Sequence, residues 1–372
     1  MRPSFTTRLA YGGLVLCGIA LGLPSLGSPA PALSETGYAV LDRLEARRSF
    51  LSGSVNALAR TADGVLFLGS NRLATYDGHN WQRIEMPGTS RINSLAAEHT
   101  AGYGIRVWFG ADGSLGHIDR SATGEWFVTS LAGPLAAAGI HDLSDIRQVQ
   151  PDGRGGATFV SRSHVLRWKD GRFTTWPLAN RTRFISFEYR GVVQIYQDGV
   201  GLLRVTESGP EIWLAEADLP ERQPLTGLIE LPGGECLAVF FNDEAYRRSA
   251  TGAWSRVAGL APFLKGRRPL LIARIDADTI AIGLAYGGVL LCRNDGSFVS
   301  LINTQSGLPD DNTNALLSND EGGLWIGTGT GLTRLVGAGR ASLFDPRTRI
   351  ANSFISRVLE HEGRPFVVTS RR

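Results

Sequence analysis

Short apolar runs recur along the whole chain, and each is cut off by a polar turn before it grows long enough for a helix. The arrangement is clearest from Val55-Asn56-Ala57-Leu58 through the turn Asp63-Gly64 to Leu66-Phe67-Leu68-Gly69, then Leu73-Ala74-Thr75-Tyr76, the turn Asp77-Gly78 and Trp81. Apolar positions that alternate with polar ones, broken by Asp-Gly or Gly-Gly roughly every 8–12 residues, predict antiparallel strands joined by tight turns. Helical periodicity is nearly absent. Only Pro134-Leu135-Ala136-Ala137-Ala138 and Ala215-Glu216-Ala217-Asp218 read as short helical or loop excursions.

A longer period lies over the short one. Strand-like triplets open at Phe67, Trp108, Phe159, Gln194, Val239, Ala281, Trp325 and Phe366, at spacings between 35 and 51 residues. Their mean, about 43, is the length of a four-stranded propeller blade. A second aromatic follows each of the first seven openings, at Trp81, Trp126, Phe173, Trp213, Trp254, Phe298 and Phe344. Gln194, Val239 and Ala281 are weak anchors alone, and the second marker carries the register past them. The widest interval holds the Pro134–Ala138 excursion, which predicts an inserted surface loop in the third blade. The expected fold is all-β: a β-propeller of seven complete four-stranded blades plus a partial eighth.

The same reading divides the chain. Residues 1–32, with Arg2 and Arg8 ahead of an apolar run from Leu9 to Leu23 and a small-residue end at Ala30-Pro31-Ala32, form a signal peptide. Fifteen apolar residues are short for a membrane span; an uncleaved anchor is the alternative. Residues 33–50 hold a closing strand and lead-in, where Gly37-Tyr38-Ala39-Val40-Leu41 resembles the outer strand of a blade and is expected to pair with a late one. Residues 51–345 carry blades one to seven. Residues 346–372 begin an eighth unit at Phe354-Ile355-Ser356 and reach Ser370 without a third strand, as expected of a truncated blade, so the segment reads as the first half of a larger tandem propeller.

Composition narrows the function classes. The chain has 46 glycines, two methionines and 43% apolar residues spread evenly, which fits a turn-rich β protein rather than a disordered one. Of its 38 basic residues two lie in the leader, leaving 36 against 35 acids. Lys169 and Lys265 are the only lysines, and the arginines are scattered among the acids, so there is no basic stripe to follow a nucleic acid. Cys236 and Cys292 fall in adjacent units and are expected as free core residues, although an exported protein permits a disulfide.

One unit carries a recognisable motif. Gly307-Leu308-Pro309-Asp310-Asp311-Asn312-Thr313-Asn314-Ala315-Leu316, through Asp320 and Gly322-Gly323-Leu324-Trp325-Ile326-Gly327-Thr328 to Gly331-Leu332-Thr333-Arg334-Leu335, closely resembles the two-component regulator propeller repeat. The first unit matches in part, through Val55-Asn56-Ala57-Leu58, Phe67, Gly69 and Leu73, and the second through Ile92-Asn93-Ser94-Leu95, Trp108 and Gly110. The resemblance implies the periplasmic or extracellular sensing half of a membrane receptor. A β-sandwich stalk, a membrane helix and an output module such as a histidine kinase or diguanylate cyclase would follow, with ligands derived from carbohydrates and signalling through a dimer of ectodomains. Kinase nucleotide motifs and a second apolar span are absent from these 372 residues. The motif residues themselves read as structural. Trp325 supplies buried area between blades, Gly327 allows close backbone approach and Thr328 satisfies a neighbouring backbone group.

Candidate chemistry is thin. Ser318-Asn319-Asp320-Glu321-Gly322-Gly323-Leu324-Trp325 resembles the Asp-box turn of sialidases, which are also propellers, and Glu188, Tyr189 and Arg190 match the side-chain types such an enzyme uses. The box is single and has Leu324 where the motif prefers Thr. Gly327-Thr328-Gly329-Thr330-Gly331 has the look of a phosphate loop, but a strand follows where a helix is needed, so it reads as a turn. His79, His99, His117, His141, His164 and His361 never take metal-ligand spacing and read as isolated turn or surface residues. Asp63, Asp77, Asp112, Asp152, Asp198 and Asp320 sit in turns, with calcium in a loop as the alternative. The expectation is therefore recognition rather than catalysis: an extracytoplasmic sensor propeller with no cofactor, metal or catalytic residue, binding through unrepeated loops near the central channel. A free-standing secreted scaffold and a sialidase-like hydrolase are the competing readings.

Overall fold

The computed structural model describes residues 38–44, 53–86, 91–100, 104–141, 143–179, 183–319, 322–337, 342–343, 354–361 and 364–370. After β1 (Tyr38–Leu44), six four-stranded antiparallel sheets follow in strict sequence order. Blade one is β2 (Ala57–Arg60), β3 (Leu66–Gly69), β4 (Leu73–Tyr76) and β5 (Trp81–Ile84). Blade two is β6 (Ile92–Thr100), β7 (Gly104–Ala111), β8 (Ser114–Arg120) and β9 (Trp126–Ser130). The helix α1 (Ala132–Ala137) then leads to blade three: β10 (Ile146–Pro151), β11 (Ala157–Ser161), β12 (His164–Lys169) and β13 (Arg172–Pro177). Blade four is β14 (Phe184–Tyr189), β15 (Val192–Gln197), β16 (Gly201–Thr206) and β17 (Gly209–Ala215), followed by a single 3₁₀ turn at Glu216–Asp218. Blade five is β18 (Leu225–Glu230), β19 (Cys236–Phe240), β20 (Ala245–Arg248) and β21 (Trp254–Arg256). The one-turn helix α2 (Ala261–Leu264), which the sequence pattern did not announce, precedes blade six: β22 (Pro269–Arg274), β23 (Thr279–Leu284), β24 (Val289–Arg293) and β25 (Phe298–Ile302).

The seventh blade is built from both ends of the domain. Its inner strands are β26 (Thr313–Ser318), β27 (Leu324–Thr328) and β28 (Leu332–Val336), and the fourth place is taken by β1. The pairing is antiparallel and runs from Val40 opposite Val336 to Leu44 opposite Leu332. A short fifth strand, β29 (Ser342–Leu343), covers the outer edge of β1 at Tyr38 and Ala39. The sequence expects this blade to be complete within residues 51–345, with Phe344 as its second aromatic. The fourth strand comes instead from β1, the outer strand expected to pair with a late blade, and Phe344 lies outside the described residues.

The opening residue of each unit falls on the second strand of its blade, and the second aromatics of blades one to six fall on the outer strands. Second strands are covered on both faces, which explains why β3, β19, β23 and β27 are buried throughout, whereas the outer β5 leaves Gln82 and Arg83 exposed. Phe67, Trp108 and Phe159 are fully buried, and Trp325 packs with Val55, Leu58 and Leu66 across the junction of blades seven and one.

The ring closes at seven. β26 neighbours β2 as each inner strand neighbours the next, and the Val55 amide donates to the Thr328 carbonyl at 2.9 Å. The glycine of the repeat is what admits the neighbouring blade. A Cβ on Gly327 would stand 2.8 Å from Val55 Cγ1, and one on Gly110 would stand 2.2 Å from Ile146 Cγ2. Such contacts are far inside van der Waals distance. Thr328 Oγ1 donates to the Gly331 carbonyl, tying the Gly327–Gly331 segment into a turn between strands, and Leu332 pairs with Gly327.

The expected partial eighth blade is not shown. β30 (Phe354–His361) and β31 (Arg364–Ser370) pair with each other as a two-stranded sheet of their own, in a unit distinct from Gly37–Asp345. A hairpin resembles the first half of a blade locally. What makes it a blade is a place in the ring, and β26 beside β2 leaves none.

Candidate functional site

The seven inner strands line an axial cavity of about 380 Å³ with three consecutive residues each. Every inner strand starts at the same end of the ring. In blades two, three, five, six and seven the pairing slips by one residue at that start, at Asn93, Arg147, Thr226, Leu270 and Asn314. A bulge of this kind frees one residue from the ladder and lets its side chain turn. Asn56 occupies the matching place in blade one and Ser186 lines the cavity from blade four.

Three carboxamides therefore occupy one arc of the mouth, Asn314, Asn56 and Asn93 from the consecutive blades seven, one and two. Asn314 Nδ2 donates to Ser54 Oγ at 2.6 Å, and that hydroxyl donates to Asn56 Oδ1 at 2.7 Å. Asn93 Nδ2 donates to Asp112 at 2.7 Å. These bonds fix the rotamers while Asn56 Nδ2 and Asn314 Oδ1 make no bond among the described residues. Ser186 Oγ, level with the asparagines in blade four, and Ser94 Oγ, packed beside Gly110 at the junction with blade three, are buried without a hydrogen-bond partner, and Ser94 is only 8% exposed. Buried orphan hydroxyls are costly unless something else satisfies them. The two charged side chains of the lining are already engaged, Arg147 with Asp145 and Glu188 with the Gly191 amide.

A second polar cluster stands between blades two and three. Arg106 grips Asp119 through two bonds of 2.6 and 2.9 Å, and His117 Nδ1 lies 3.0 Å from the same carboxylate, a close contact without aligned hydrogen-bond geometry. Trp108 donates to Glu98 at 2.8 Å and meets His117 edge-on at 5.2 Å. His117 is thus buried on β8, contrary to the expectation of a turn or surface histidine. Burial pulls the Asp119 carboxyl upward, but the contacts from His117 and Arg106 outweigh it and hold it below its ordinary 3.8. Burial raises the Glu98 carboxyl against the bond from Trp108. A lowered acid supplies stability above its unfolded value and loses it as pH falls through the folded one. Asp119→Asn should therefore flatten the fall in stability below about pH 4, as measured by urea unfolding across pH. An unchanged acid limb would remove Asp119 from that role.

The remaining expected residues are dispersed. Asp77 accepts from the His79 and Asn80 amides, and Asp152 from those of Arg154 and Gly156, so both serve turns. Asp320 lies outside the described residues. Among the described residues no group of His, Cys, Asp or Glu gathers as a metal set, and Cys236 and Cys292 are separate buried thiols. The sialidase-like set does not assemble. Tyr189 is buried with its phenol pushed up to about 12, first by burial, Arg190 pairs with Glu230, and Glu188 closes its own turn. The residues that do converge are the asparagines of Val55-Asn56-Ala57, Ile92-Asn93-Ser94 and Thr313-Asn314-Ala315. Their recurrence was visible, but nothing in the period says that they turn into the axis.

No model of a known protein family matches the chain, and no curated protein matches it in sequence. Solved structures do share the fold. The extracellular domain of the putative hybrid two component system BT3049 from B. thetaiotaomicron is 13% identical with a TM-score of 0.61, over 89% of this chain and 46% of that one. The corresponding domain of BT4673 from the same organism is 14% identical with a TM-score of 0.58, over 87% and 41%. YCF48 bound to D1 peptide is also 14% identical with a TM-score of 0.58, over 80% and 96%. The chain spans less than half the length of the two Bacteroides ectodomains, and at these identities the likeness is one of fold.

Proposed function

We propose that this chain is the ligand-recognition propeller of an extracytoplasmic two-component sensor, non-catalytic in this segment, with its ligand seated at the asparagine-lined channel mouth. The observation that carries the reading is the arc of Asn314, Asn56 and Asn93 on a cavity that also holds the unpartnered hydroxyl of Ser186. Carboxamides and hydroxyls with no uncommitted charge suit a neutral, hydrogen-bonding ligand, and the cavity falls within the usual volume of small-molecule sites. The repeat of residues 307–335 and the fold shared with two sensor ectodomains favour the sensor assignment over a free-standing scaffold. A polysaccharide-derived ligand follows from the same resemblance, and a dimer of ectodomains would convert unequal affinity for two states into a signal.

Thermal-shift screening of oligosaccharides provides the test. A ligand held at about 100 times its Kd should stabilise the wild type by roughly 2.7 kcal/mol, and Asn56→Ala with Asn314→Ala should abolish the shift. A shift that survives in the double variant places the ligand elsewhere. Reading the gene beyond Arg372 tests the sensor assignment: an apolar span and an output module are expected, and an immediate stop codon would favour the secreted scaffold.

A further inference from the structure

Four non-glycine residues hold left-handed backbone conformations among the described residues, and two of them meet. Asp243, at φ 68°, lies in the turn between β19 and β20; Arg268, at φ 52°, ends the connection from blade five to β22. The Asp243 carboxylate accepts from the Gly266 amide at 2.6 Å and from the Arg268 amide at 2.7 Å. The strained Arg268 backbone is thereby held from across the blade junction. Non-glycine residues fixed in this region gather at functional sites because the surrounding structure must over-determine them.

The cradle aims the side chain. The Arg268 guanidinium stands 4.7 Å from the Phe241 ring centroid and 5.7 Å from that of Tyr286, which is 60% exposed. No carboxylate lies within ion-pair distance of it among the described residues, although most arginines here have an acid or a carbonyl partner. Lys265 and Arg267 add positive charge to the same loop, while Asp243 is committed to backbone amides. An arginine held against aromatic rings presents its fork with less freedom left to lose, which favours bidentate capture of a carboxylate. Arg beside an exposed Tyr is also the composition of a protein-binding hot spot.

We infer that Phe241, Arg268 and Tyr286 form a docking site for an acidic peptide, on the rim of blades five and six, at the end of the ring where Leu270 lies but on other blades than the asparagine arc. Arg268 receives the partner's carboxylate and Tyr286 packs its neighbouring side chain. The probe is the glutamate–tyrosine copolymer, measured by titration calorimetry or anisotropy, with polylysine as the opposite-charge control. Arg268→Gln should weaken binding about tenfold and Arg268→Lys several-fold, because a point charge lacks the fork. Tyr286→Ala should weaken it too, while the charge-matched control Arg172→Gln stays within about twofold of wild type. Circular dichroism and melting temperature establish that each variant is folded, and Arg268→Lys keeps the test open should Arg268→Gln misfold. The inference fails if wild type does not bind the copolymer or if Arg268→Gln binds it equally. It also fails if millimolar inorganic phosphate displaces the copolymer fully, which would mark a simple anion site. Asn56→Ala with Asn314→Ala should leave this binding intact, so the rim and the channel fail independently.

Discussion

Deleting residues 33–48 lowers the melting temperature by about 10 °C or more, because the seventh blade then has no fourth strand. The deletion removes the five registered pairs from Val40–Val336 to Leu44–Leu332. It also uncovers the core against which Ala39 and Leu41 pack, and the junction cluster that Leu44 joins. A handful of ladder bonds at about 1 kcal/mol net each and partial burial of two leucines at about 1–2 kcal/mol each place the loss near 5 kcal/mol. The bared edge of β28 also offers a template for association between chains, so light scattering should rise with the loss of stability. Differential scanning calorimetry reads the first effect, and a synthetic peptide of residues 33–48 added in trans should recover part of it. A melt unchanged by the deletion would mean that β1 does not hold the ring closed.

Trp108→Ala is the point substitution with the largest expected cost, about 3–5 kcal/mol for the buried ring alone. Trp108 is fully buried, meets Phe159 edge-on at 5.9 Å across the junction with blade three, and lies under the Arg106 guanidinium at 5.2 Å. Its loss also strips Glu98 of its indole donor, leaving a partly buried carboxylate with less to offset burial. Trp108→Phe separates the two contributions. It keeps most of the apolar area and forfeits the bond to Glu98, so it should cost about 1–2 kcal/mol. Urea denaturation of both variants checks the order. Equal costs would show that the indole N–H, rather than the ring, carries the stability.

The propeller was legible because its markers obey local rules. Phe67, Trp108 and Trp325 repeat where a second strand is buried on both faces, and Trp81, Trp126 and Trp213 repeat where the outer strand turns one side inward. Burial on one face of a strand leaves a period-two trace, and burial on both leaves a short continuous apolar run. Blade number was not legible in the same way. Phe366 met the pattern of an opening residue because β30 and β31 form an ordinary hairpin, and only the contact between β26 and β2, far apart in sequence, fixes the count. Sequence alone also could not reveal the clusters. His117 looked solitary although Asp119 shares its face two residues along the same strand, because Arg106 joins them only through strand pairing, and Arg268 looked like any surface arginine until the left-handed turn placed it on Phe241. The asparagines were not singled out, because they recur inside the repeat and the one-residue slip at Asn93 and Asn314 belongs to strand pairing rather than to sequence.

That slip has a consequence for how such a mouth can change over time. A bulged residue is released from the regular pairing of its strand, so replacing Asn93, Arg147, Leu270 or Asn314 disturbs little of the ladder. Four of the seven blades contribute such a position to a shared rim. The rim is therefore composed from independent choices, and a lineage of these rings can acquire a new chemical preference one blade at a time while every sheet stays as it was.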